Sequence, residues 1–317
     1  MATTETLILD ETIVSSRRRM MMMSGTALAG LILGSSKANA QTTLTDADYL
    51  NFALNLEYLE AQFYTLADSG QTIDQVGIGI GAGTSATGGG TVTVKPTGAP
   101  SCKVPFAIPA VASYAKEIAD EERKHVSFLR AALGASAVAQ PNIDLFNSFN
   151  AAASAAGIGP AFDPFASDVN FLLGSYIFED VGVTAYHGAA GALTVSSNLA
   201  AAAGILAVET YHAGLIRTVL WGLDQATPAA GIAATAMKIS NLRATLDGTN
   251  NDDIGLGTEQ VALNGSTATF TASTIVNADS NTIAFSRTAQ QVLNIVYAST
   301  TGTKGGFFPS GLNGSVS

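Results

Sequence analysis

Among its 317 residues the chain has one cysteine, one tryptophan and three histidines, and only 13% of its side chains are charged. A single thiol, Cys102, excludes an intramolecular disulfide. With no Cys-x-x-Cys pair, a thiolate electron-transfer site is excluded too. Cys102 lies in a Gly/Pro-rich stretch and is expected to be inert. No uninterrupted apolar run of roughly eighteen residues occurs, so no stable membrane span is expected in the processed chain. Basic excess is missing as well: the net charge is −10 and the pI about 4.6. That balance argues against nucleic acid as a partner and is compatible with attracting metal cations. What is present is apolar material, 47% of the chain, enough for a sizeable core.

The first forty residues read as an export signal. Ser16-Arg17-Arg18-Arg19 precedes a short apolar run from Thr26 to Gly34, and Ala38-Asn39-Ala40 is a small-residue cleavage site. The Ser-Arg-Arg opening resembles a twin-arginine signal; an ordinary Sec signal is the alternative. The processed protein is expected in the periplasm or outside the cell. The twin-arginine route would carry it already folded.

Four long segments have apolar residues at helical spacing. The first covers Asp46 to Ala67, after a Thr45 cap with Asp48 three residues on. The second covers Pro109 to Leu133, with Gly134 just beyond its end. The third runs from Ser167-Asp168 to Ala190, and the fourth from Ser196 to Leu223. Between the first two lies a Gly/Thr/Ser-rich loop with a candidate β-hairpin at Thr91–Val94. The second and third are separated by a long connection carrying a short helix near Leu145 to Ala156. This order predicts an all-α, four-helix bundle with one long crossover over residues 41–225. A mixed extension over 226–317 follows, with helices at Ala229–Leu246 and Thr288–Ala298, loop and some strand between them, and a Gly305–Pro309 turn packed on the bundle.

Two of the three histidines share one motif. Glu122-Arg123-Lys124-His125 and Glu209-Thr210-Tyr211-His212 are both Glu-x-x-His, which puts carboxylate and imidazole on one helix face, able to reach one ion. From Gly191 to Ile216 Glu209 is the one Asp, Glu, Lys or Arg, and Glu179 follows Tyr176-Ile177-Phe178 in an equally apolar setting. A carboxylate buried alone costs several kcal/mol, so each must be protonated, paired or metal-bound. The first helix offers both Glu57 and Glu60. Glu57 has Tyr64 seven residues on, and Glu179 has Tyr186 seven residues on. The chain thus reads as Glu-x6-Tyr then Glu-x-x-His, twice, which favours Glu57 over Glu60. The expected metal ligands are Glu57, Glu122, His125, Glu179, Glu209 and His212. Tyr64 and Tyr186 either support those ligands or are ordinary core residues. His187 is expected off the inner shell, and Arg130 and Arg217 are expected solvated or paired near helix ends. Four carboxylates and two imidazoles suit two ions, iron ahead of manganese, and suit zinc poorly.

Leu54–Tyr64, Phe178–Tyr186, Ala207–Gly214 and the tail Gln291–Tyr297 with Gly305–Pro309 resemble the ferritin-like domain of desiccation-related proteins. The wider ferritin-like superfamily includes rubrerythrin-like proteins and manganese catalases. Resemblance to it implies that Glu122 and Glu209 bridge the ions, that Glu57 and Glu179 are terminal, and that each histidine holds one ion. The long glycine-rich loop departs from compact ferritins and from the packing surfaces their cages need; a homo-oligomer stays open. Three readings of function follow. One is an oxidoreductase using small oxidants, dioxygen or peroxide. Another is a stress or desiccation protein that stores metal or holds it structurally. The third is a bundle that has lost its metal and serves as a scaffold.

Overall fold

A computed structural model describes residues 44–248, 252–262 and 267–317; the expected signal and its cleavage site lie outside them. The helices are α1 (Asp46–Ser69), α2 (Pro109–Leu133), α3 (Asn147–Ala155), α4 (Asp168–Ala190), α5 (Ser196–Ala226), α6 (Ile232–Asp247) and α7 (Ala289–Val296). Four short strands join them: β1 (Val92–Thr93), β2 (Ile143–Asp144), β3 (Thr258–Ala262) and β4 (Thr269–Ser273). α1 packs along α2, and α4 along α5. Asn51, early in α1, donates to the carbonyl of Ser136 just past α2, so that pair is antiparallel.

Helix ends are tied across the bundle. Thr45 and Asp48 form a capping box on α1, and Gly70 ends that helix in the left-handed conformation. Ser167 caps α4. The residues that precede α2 and α5, Ile108 and Val195, have no cap of their own. Their exposed N–H groups are taken by aspartates from other helices. Asp168 of α4 accepts from Ala107 and Ile108 at 2.9 and 3.0 Å. Asp46 of α1 accepts from Thr194 and Val195 at 2.9 and 3.0 Å. Those backbone donors hold the Asp46 carboxyl well below the usual carboxylate range.

The connections differ from the expected hairpin. β1 pairs in parallel with β2, Val92 opposite Ile143, so this strand of the 70–108 loop is stitched to the crossover and not to a hairpin partner in its own loop. Nor is Arg130 simply solvated: it is half-buried and gathers the carbonyls of Gly81, Gly83 and Ser85 at 2.6–2.9 Å. A β-carbon at Gly81 would lie 1.9 Å from the Thr87 carbonyl oxygen, so only glycine fits this fold-back. Cys102 is free and buried, and burial raises its thiol pKa.

Phenylalanines join crossover and tail to the bundle. Phe63 of α1 packs on Phe149 of α3 and on Phe165, Phe171 and Phe178, at centroid separations of 5.4–5.8 Å. Phe307, from the tail, stands edge-on to Phe149 and Phe178.

The C-terminal extension is held by buried charge. Arg217, expected solvated or paired near a helix end, is paired and only 2% exposed. It donates to Asp180 at 2.7 Å and to the carbonyl of Ile254 at 2.7 Å. Arg243 bonds Asp180 at 2.8 Å and Asp253 at 2.7 Å, and Arg287 bonds Asp247 at 2.7 Å and Asp253 at 3.0 Å. β3 and β4 form an antiparallel hairpin, both strands largely exposed. Among the described residues α5 alone is long and apolar enough to cross a membrane; its buried stripe holds Glu209, His212 and Arg217.

Removing one partner of a buried ion pair strands the other. Arg243→Met is expected to lower unfolding free energy by about 3–5 kcal/mol. Asp168→Ala, which uncaps α2, should cost only about 1–2 kcal/mol. Urea denaturation of the two variants side by side checks the order.

Candidate metal centre

Each pair of neighbouring helices contributes one half of the centre. Glu57 comes from α1, Glu122 and His125 from α2, Glu179 from α4, Glu209 and His212 from α5. All six are buried, the four carboxylates at 0–1% exposure. They fall into two overlapping groups: Glu57, Glu122, His125 and Glu209, then Glu122, Glu179, Glu209 and His212. Within each group one donor atom per residue lies within 4.8 Å of every other. Glu122 and Glu209 belong to both. His125 Nδ1 is 3.2 Å from Glu57, 3.6 Å from Glu122 and 3.5 Å from Glu209. His212 Nδ1 is 3.0 Å from Glu122 and 3.4 Å from Glu179. The two rings are 6.4 Å apart.

The tyrosines reach the centre crosswise. Tyr64 of α1 donates to Glu179 of α4, and Tyr186 of α4 donates to Glu57 of α1. Each lies on the face of its own helix's glutamate and serves the other helix's. His187 is half-buried away from the cluster, its Nδ1 at 3.1 Å from the Phe285 carbonyl. Glu60 is buried beside the centre but belongs to neither group. Glu121, which the sequence reading passed over, meets His212 Nε2 at 2.7 Å. That leaves Nδ1 as the nitrogen facing the carboxylates. The available signal was its place directly before a Glu-x-x-His.

Electrostatics here are dominated by burial, which disfavours charged carboxyls. Burial raises Glu57 to about 7 in spite of His125 beside it. It also raises Glu179, and it lifts Glu209 and Glu60 further, with the neighbouring glutamates adding repulsion. Glu122 is the exception: the two imidazoles beside it outweigh burial and hold it at about 2. The histidines gain more from the surrounding carboxylates than they lose by burial, so both are raised far above the ordinary imidazole value.

Hydrogen bonding leaves this cluster incomplete. Both oxygens of Glu122, both of Glu209, Glu179 Oε2 and His212 Nδ1 are buried without a well-formed hydrogen bond. Native interiors rarely leave such groups unpaired. Here the unpaired atoms converge on one space and are hard oxygen and imidazole donors, the set that suits divalent iron or manganese. The residues present fit a metal centre.

The raised carboxyls set a pH dependence for the metal-free protein. A group whose folded pKa is raised stabilises the fold below its unfolded value and loses that contribution as pH rises through the folded one. Glu57, ordinarily near 4.5 and here about 7, therefore withdraws stability between pH 4.5 and 7, by about 3 kcal/mol for this group alone. Glu122 acts in the opposite sense, and only below pH 4.5. Metal-free protein is expected to unfold at lower urea at pH 8 than at pH 5. Added Fe(II) or Mn(II) should erase the difference.

No solved structure matches the chain. It is 31% identical to the desiccation-related protein PCC13-62 of Craterostigma plantagineum, over 78% of this chain and 76% of the relative. It is 28% identical to the ferritin-like catalase Nec2 of Nesocodon mauritianus, over 86% of this chain and 84% of the relative. A ferritin-like domain model matches residues 45–221, the stretch that carries all six clustered residues, and the chain belongs to the ferritin-like family.

Proposed function

We propose that the chain is an exported dinuclear-metal protein that reacts Fe(II), or Mn(II), with peroxide or dioxygen in stress protection. The observation that carries this reading is the convergence of six unpaired buried donor atoms between two histidines. Glu57, Glu122, His125 and Glu209 would hold one ion, and Glu122, Glu179, Glu209 and His212 the other. With neutral imidazoles, four carboxylates balance two divalent charges. Bound there, such ions would supply the electrons exchanged with the oxidant.

The protein's own part is positional. Tyr64 and Tyr186 occupy one oxygen each of Glu179 and Glu57, which turns the other oxygen inward. Glu121 takes the outer N–H of His212 and fixes which nitrogen faces the centre. A groove of about 660 Å³, lined by Tyr114, Glu117, Glu121 and Tyr211, reaches His212 from outside. It gives a cation or a small polar oxidant a route inward, and its two glutamates favour the cation. Export of the folded chain through the arginine-rich leader belongs to the same reading. The name of the 31% identical relative favours a second one, in which the same centre holds metal during water loss without turnover.

Metal analysis of protein purified after export separates them. Two iron or manganese per chain, with peroxide consumption that disappears in Glu209→Ala, is the expected result. Two ions and no consumption would support the second reading, and no bound transition metal would overturn both. Tyr186→Phe should keep the fold and lower metal affinity roughly 10-fold.

A further inference from the structure

A second approach to the centre comes from the crossover and C-terminal side. There α3, α4, α6 and α7 enclose a pocket of about 210 Å³, with Phe149, Ala152, Ile177, Ile239, Leu246 and Phe307 among its walls. A dry cavity of about 150 Å³ suffices to take benzene. The pocket's two polar side chains are already engaged. Ser148 donates to the carbonyl of Asp144. Arg243 spends its guanidinium on Asp253, Asp180 and the carbonyl of Tyr176. It presents no free charge to an anionic ligand, so the chemistry of the walls selects a neutral apolar occupant.

The pocket's inner wall leads to the carboxylates. Ile177, Ile295 and Phe307 also line a smaller cavity of about 20 Å³, whose far side is Glu60 and Gly182. That volume holds little more than one water-sized molecule. Glu60 keeps 5% of its surface accessible, whereas the four clustered glutamates keep 0–1%. A β-carbon on Gly182 would lie 2.4 Å from Glu209 and 3.4 Å from Glu60, so the slot ends directly on the centre.

We propose that the larger pocket binds a neutral apolar molecule the size of a monocyclic hydrocarbon or short alkyl chain. Phe307, Ile177 and Ile295 form the partition between it and the dinuclear centre. This assigns the centre an apolar substrate class beside the polar oxidant. The substrate assignment rests on the proposed dinuclear function; the pocket stands without it.

Toluene is a suitable probe, titrated calorimetrically into the full-length protein. Saturable binding of one toluene per chain is expected, with or without metal. Ala152→Phe should weaken it at least tenfold and leave metal content unchanged; Leu246→Phe serves where the first variant fails to fold. In Mn(II)-loaded protein the proton resonances of bound toluene should broaden relative to Zn(II)-loaded protein. Absence of saturable binding, or undiminished binding in a folded filled variant, would overturn the pocket. Binding without manganese-dependent broadening would overturn its connection to the centre. Toluene binding lost on filling, in protein that takes up no metal, would uphold the pocket and overturn the metal reading instead.

Discussion

Four glutamates crowd into the bundle interior against two histidines, and neither set can satisfy the other. With both imidazoles protonated, two negative charges remain in excess; with both neutral, four do. Burial raises the carboxyl pKa of Glu57, Glu179 and Glu209, while Glu122 is held low between the two rings. Such a cluster is costly to fold. It persists only because surrounding helices are fixed rigidly enough that their side chains cannot turn away. The crosswise tyrosine bonds, the borrowed helix caps and the buried arginines all supply that rigidity.

These supports follow one internal symmetry. The shift that carries Glu57 onto Glu179 also carries the cap Thr45 onto Ser167, Asp46 onto Asp168 and Tyr64 onto Tyr186. The shift that carries Glu122 and His125 onto Glu209 and His212 also carries Ala107 and Ile108 onto Thr194 and Val195, and Arg130 onto Arg217. Two kinds of paired interaction map onto their counterparts: aspartate to helix start, tyrosine to opposite glutamate. Even the arginines obey it, since Arg130 reaches Tyr58 and Arg217 reaches Asp180, the residues after the two glutamates. Two copies of a helix pair, with Glu122 and Glu209 as counterparts, account for all of this.

Part of that plan is legible in the sequence. Helix spacing gave α2 to the residue, and the repeated Glu-x-x-His and Glu-x6-Tyr named every residue in the two clusters. Periodicity within a helix reports which side chains share a face, and the centre is built from shared faces. It does not report which helix a side chain will touch. Tyr64 and Tyr186 were therefore placed on the correct face with the partner unknown. For Arg217 the sequence leaves solvated and paired places both open, because Asp180 and the carbonyls that bury it come from α4 and a loop far along the chain. β1 and β2 pair across fifty residues, and two-residue strands carry no periodic signal. The aspartates that cap α5 and α2 lie at the starts of other helices, where an acidic residue is expected for its own helix's sake.

Two departures from the symmetry lie where the centre meets its surroundings. Glu60 corresponds to Gly182, and Glu121 to Val208. On one side, the carboxylate of Glu121 lines the groove to His212, and valine stands at the equivalent place beside His125. On the other, Glu60 closes the apolar slot, and its counterpart must be glycine because a β-carbon would collide with Glu209. A duplicated scaffold by itself would give two equivalent faces. Substituting one residue in each pair makes the faces chemically distinct, one with an acidic groove, the other with a narrow apolar slot, while the symmetric six stay unchanged. The same centre can then be approached by two kinds of molecule that do not compete for one path.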